Sequence, residues 1–100
     1  MFIVLVKYVQ PLSVVDAFLQ QHIDFLDRHY KEGHFIFSGR RGPRVGGVIL
    51  VNCHAEDAVK EMIEEDPFYK NKIAEYELIK FSPTKFDEKF SPFIKNVPTN

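Results

Sequence analysis

Two short stretches are apolar at every position: Phe2-Ile3-Val4-Leu5-Val6, continuing through Lys7-Tyr8-Val9, and Val48-Ile49-Leu50-Val51. β-Branched and aromatic residues without alternation predict strands buried on both faces, the central strands of a sheet. Pro11 closes the first. From Ser13 to about Lys31 the period changes. Val15, Phe18, Leu19, Ile23, Leu26 and Tyr30 fall on one stripe at about 100° per residue, with Phe25 at its edge, and predict an amphipathic helix. Ser13 is the expected N-cap, and Gly33 the left-handed stop.

His34 to Gly39 alternates and predicts a second strand, with Phe35 and Phe37 on one face and Ile36 and Ser38 on the other. Arg40 to Gly47 holds three glycines and one proline and predicts a hairpin connection. A second helix is expected from His54 to Glu65. Asp66-Pro67 then matches the cap and first position of a short helical turn. Ile73 to Phe81 predicts a fourth strand, with Glu75 and Glu77 alternating with Tyr76 and Leu78, as suits an edge. The order is β-α-β-β-α-β, the split β-α-β pattern of an α+β, ferredoxin-like domain over residues 1–82. Its sheet order, 4-1-3-2, puts the two fully apolar strands in the middle. Residues 83–100 form a tail whose aromatic residues Phe86, Phe90 and Phe93 are expected to pack on the domain or on a partner.

Two helices cover one face of such a sheet. The other face keeps the outward half of both apolar strands, so a face-to-face homodimer is expected. With 100 residues, 45% hydrophobic positions and a formal net charge of −1, the chain is one domain without the basic stripe that nucleic acid or an anionic membrane demands. No apolar run approaches the roughly 20 residues of a membrane span. The run at the N-terminus is too short for a signal-peptide core, and a cytoplasmic location is expected. The one cysteine, Cys53, is expected to be a buried structural thiol. The basic cluster Arg40, Arg41 and Arg44 reads either as an anion-binding loop or as a solvated hairpin tip.

His22 lies near the middle of the first helix's apolar stripe, between Phe18 and Leu26, and so points toward the sheet. An imidazole in that position needs a partner for its N–H. Asp66 is the candidate, because the second helix runs beside the first on the same face. A core histidine and a plain N-cap aspartate are the alternative readings of the pair. His29, His34 and His54 show no metal-ligand spacing, and His22 and His29 lie about 10 Å apart along the helix, too far for one ion. No metal and no cofactor are expected. Gly-rich phosphate loops, nucleophile elbows and His-Glu-x-x-His pairs are absent from the sequence.

Several stretches in order resemble the YciI-like family of dimeric α+β barrel proteins. They are His22 with Phe25-Leu26, Glu32-Gly33, Phe37-Ser38-Gly39, Pro43, Gly46-Gly47-Val48-Ile49-Leu50, Asp66-Pro67-Phe68, and Ile73 through Phe81 with Pro83. The resemblance implies the same fold and dimer, and a histidine–aspartate active site at His22 and Asp66. Relatives include muconolactone isomerases and a dehydrochlorinase. Many carry Gly-Pro after the second strand, where this chain has Ser38-Gly39-Arg40-Arg41-Gly42-Pro43, so the substrate does not carry over. The expected function is acid/base chemistry (isomerisation, elimination or hydrolysis) on a small cyclic or aromatic compound. Phe35, Phe37, Phe68 and Tyr76 would line the pocket, with Ser38, Gly39 and Arg40 holding a polar substituent. The competing reading is a non-catalytic metabolite-binding or dimeric interaction module. An RNA-binding domain of this topology would need stacking aromatics in a Lys/Arg-Gly-Phe/Tyr signature, which the central strands lack.

Overall fold

Four antiparallel strands in the order β2-β3-β1-β4 form the sheet of a computed structural model, which describes residues 1–94. The elements are β1 (Phe2–Tyr8), α1 (Leu12–Lys31), β2 (Phe35–Arg41), β3 (Gly46–Val51), α2 (Glu56–Glu64), α3 (Pro67–Lys70) and β4 (Ala74–Lys80). This is the split β-α-β topology, with the two apolar strands central. β1 pairs with β3 from Phe2↔Val51 to Lys7↔Gly46, and with β4 from Phe2↔Lys80 to Tyr8↔Ala74.

The core lies between sheet and helices. Phe2, Val4 and Val6 alternate inward from β1 and meet Val15 and Phe25 of α1, Val59 of α2, and Phe68 of α3. The stripe on α1 differs from the expected one. Phe25 is buried rather than marginal, and Ile23 is exposed. The line that faces the sheet runs Val15, Phe18, His22, Phe25, His29, whose steps of three and four residues follow the helical repeat. α1 also begins before Ser13. Pro11 is its N-cap, and the Pro11 carbonyl accepts from Val14 and Val15, so no side-chain cap is made. α2 starts at Glu56 rather than His54. Cys53 is half-buried, with its thiol 3.6 Å from the Ala55 carbonyl, rather than a fully buried thiol.

β2 departs most from its expected pattern. Phe35 pairs with Val51 and Phe37 with Leu50, so two residues of β2 oppose one step of β3. This bulge reverses the alternation beyond it. Phe35 therefore packs under α1 against Phe25 and Tyr30, while Phe37 turns to the opposite face and meets Phe90. Ser38 is brought to the helix side, where its Oγ accepts from the Tyr30 hydroxyl at 2.6 Å. β2 also continues through Arg41, so Arg40 and Arg41 are strand residues and the hairpin loop is only 42–45.

After β4 the chain forms a 3₁₀ turn (Glu88–Phe90) and a single-turn helix, α4 (Ser91–Ile94). On the sheet face away from α1, Ile94 joins Ile3, Ile36 and Phe81 around Met1 and Leu50. The remainder of the expected tail, 95–100, lies outside the described residues. Among the described residues no helix is long and apolar enough to cross a membrane.

Candidate active site

Asp66 is fully buried and caps α3, with Oδ1 accepting from the Phe68 amide at 3.0 Å. His22 Nδ1 lies 2.8 Å from the same oxygen, and the Tyr76 hydroxyl donates to Oδ2 at 2.6 Å. The carboxylate thus gathers three donors from three elements: α1, α3 and β4. Two of them, an amide N–H and a phenol, can only donate in this geometry. The imidazole must do the same for the carboxylate to be fully engaged, which fixes its proton on Nδ1 and leaves Nε2 as its remaining nitrogen.

Packing holds the ring as firmly as the hydrogen bond does. His22 stacks on Phe68 with centroids 4.2 Å apart and planes inclined by 6°. Phe68, itself fully buried, is braced edge-on by Tyr8. Burial, then the Asp66 charge and the hydrogen bond to it, push the Tyr76 phenol well above its ordinary range, so it remains a neutral donor.

The exposed side of His22 opens onto a cavity of about 350 Å³ between α1 and the sheet. Val6, Leu19, Leu26, Ile49 and Phe68 form its apolar walls, and Tyr8, Ser38, Arg40 and Arg44 its polar groups. A mostly apolar cleft of this size with a few convergent polar groups suits a small organic ligand. Arg44 is already committed, its guanidinium 2.6 Å from Asp16 of α1, and this pair ties the β2–β3 loop to the helix beside the cavity. Arg40 makes no ion pair among the described residues. Burial raises the Tyr8 phenol, although Arg44 and Arg40 nearby pull it down.

Of the sequence-selected residues, His22, Ser38, Gly39, Arg40 and Phe68 line the cavity, and Asp66 stands behind His22. Three do not line it. Phe35 is in the core, and Phe37 is on the far face because of the bulge. Tyr76 serves Asp66 instead of the cavity. Arg44, from the basic cluster, lines the cavity as well, and Tyr8 and Tyr30 are site residues that the sequence does not single out. The inward alternation of β1 marks Tyr8, whereas nothing local marks Tyr30. His29 and His34, which show no metal-ligand spacing in the sequence, are brought together with Glu32, and the ligand-type atoms of the three all lie within 4.8 Å of one another. Their spacing spans a helix end, so no helical repeat reveals it.

An α+β sheet of this order, with a histidine held by a buried aspartate over an open cleft, defines a small-molecule-sized site. The chain belongs to the family described as the YCII-related domain, whose model matches residues 1–82. Its fold is similar to that of 5-chloro-2-hydroxyhydroquinone dehydrochlorinase from Burkholderia phenoliruptrix AC1100, solved in complex with 2,5-dihydroxybenzoquinone. The TM-score is 0.67 and the identity 17%, over 81% of this chain and 93% of that one. No curated protein sequence matches this chain.

Proposed function

We propose that this protein is an enzyme that moves a proton on a small cyclic or aromatic compound, with His22 as the acid/base and Asp66 as its positioning residue. The observation that carries this reading is the 2.8 Å contact between His22 Nδ1 and the buried Asp66 carboxylate, with the ring at the cavity wall. A carboxylate behind an imidazole orients it and stabilises the imidazolium formed when Nε2 takes a proton. Phe68 and the aliphatic walls suit a flat ring. Arg40 and the Ser38 hydroxyl suit an oxygen that gains negative charge as the proton leaves. In an elimination, Nε2 takes a proton from a ring hydroxyl or an activated C–H. The electron pair left behind forms the new π bond, and the leaving group departs with its own pair, so HX is lost without an oxidant. In an isomerisation the same nitrogen returns the proton at another carbon. The structural relative's bound dihydroxybenzoquinone supports a ring of this size, and Arg40 favours an acidic one.

The test is turnover of a panel of hydroxylated and chlorinated quinols, with halide release and absorbance as readouts. His22→Ala is expected to lower turnover by at least about 10²-fold, the usual contribution of a positioned acid/base, with an unchanged circular dichroism spectrum. Full activity in that variant overturns the catalytic reading. A ligand that binds equally well to His22→Gln, with no product formed by either protein, supports the binding-module reading.

A further inference from the structure

A second polar cluster lies at the far end of α1, about two turns from His22. His29 is buried, yet both of its nitrogens are engaged: Nε2 is 3.1 Å from Glu65 Oε1, and Nδ1 is 2.9 Å from His34 Nδ1. Glu65 is anchored in turn by Arg28 at 2.9 Å. The helix ends at Lys31 with Glu32 as its C-cap, and Gly33, at φ 80°, reverses the chain so that the His34 amide returns to the His29 carbonyl at 2.9 Å. The reversal brings His34 Nδ1 to 3.4 Å from Glu32 Oε2.

The tautomers follow from these partners. Nε2–H of His29 donates to Glu65, so His29 Nδ1 presents a lone pair. His34 Nδ1 presents another, or a proton shared between His29 Nδ1 and Glu32 Oε2. Two imidazole nitrogens and a carboxylate oxygen therefore gather within 4.8 Å of one another, with His34 Nδ1 between the other two. Ligand arms of about 2.0–2.2 Å in a tetrahedral zinc site place neighbouring donors roughly 3.3 Å apart. The two separations from His34, 2.9 and 3.4 Å, bracket that spacing, and the exposed Glu32 carboxylate, within 4.8 Å of His29, closes the third side by side-chain rotation when the ion binds. Behind His29, Glu65 provides the carboxylate–histidine support that metal-ligating imidazoles commonly have.

We propose that His29, Glu32 and His34 form a binding site for a divalent first-row transition ion of the zinc type. Two imidazoles and one carboxylate match the preferences of such ions and not those of magnesium or calcium, which take oxygen ligands. Glu32 and the half-exposed His34 leave the fourth position to water. The ion would join the last turn of α1 to the start of β2, separately from His22.

The test is calorimetric titration of the full-length, chelator-treated protein with zinc chloride. The expected result is one ion bound per chain and a higher melting temperature, reversed by chelator. His34→Ala and Glu32→Gln, at a half-buried and an exposed position, are expected to weaken binding at least about tenfold. His22→Ala is expected to leave it unchanged. Absence of binding by the wild type up to about 1 mM zinc overturns the site, as does undiminished binding in both folded ligand variants. Loss of binding in His22→Ala with retention in His34→Ala moves the ion to the other cluster and also overturns it.

Discussion

Asp66 shows how much one buried carboxylate can organise. Its oxygens take an amide, a phenol and an imidazole, and no buried side-chain polar atom among the described residues is left without a partner. Removing one donor leaves a desolvated acceptor, which costs about 1–3 kcal/mol. Tyr76→Phe is therefore expected to lower stability by that amount at neutral pH, as measured by urea denaturation. The sign with pH follows from the raised phenol. Its contribution is fully present below the ordinary tyrosine value of 10.0 and is lost as pH rises above it, because the unfolded chain ionises first. The gap between wild type and Tyr76→Phe should accordingly narrow in alkali, and a gap that stays constant up to pH 11 (roughly one unit past an ordinary tyrosine) contradicts the assignment. The candidate pair itself was legible at this scale. His22 stood out as a polar residue on an apolar stripe and Asp66 as a residue preceding proline. Tyr76 as the third member was not, because its role depends on β4 lying beside α3.

At the scale of elements, position relative to the site depends on strand register. Gly46 opens β3 opposite Lys7, and a Cβ there would collide with the backbone carbonyl of Val6. No side-chain rotation relieves a clash with backbone. Gly46→Ala is expected to cost about 3 kcal/mol or more and to disturb the cavity wall that Gly46 helps form. A denaturation midpoint equal to wild type would refute this. The β2 bulge has the opposite character. It lies in a stretch whose alternation is regular in sequence, so Phe37 was assigned to the pocket side when it faces away. The positions of Phe35 and Ser38 under α1 follow from pairing with β3, which the residues of β2 do not specify alone. The start of α1 also departs from the expected one: Ser13 has cap chemistry, but Pro11 already sets the first turn.

For the whole molecule, the sheet face away from α1 is unevenly covered. Ile94 and Phe81 cover one end, while Phe37 and Ile79 remain substantially exposed and Leu5 is half-buried. We propose that this face pairs with a second copy. Sedimentation should give a species of twice 11.7 kDa, and Leu5→Glu should give a monomer with its fold intact. A monomeric wild type at micromolar concentration would leave the face to the tail and solvent. By itself the sequence determined the order of elements, the central place of β1 and β3, and the inward aim of His22. Each of these follows from hydrophobic periodicity and short-range turn chemistry, which are local. Only the tertiary structure decided that the β2 bulge removes Phe37 from the cavity, that Tyr76 completes the Asp66 triangle, and that His29, Glu32 and His34 meet. These depend on register and on the reversal at Gly33. Contacts of that kind form between segments, and no single segment encodes them.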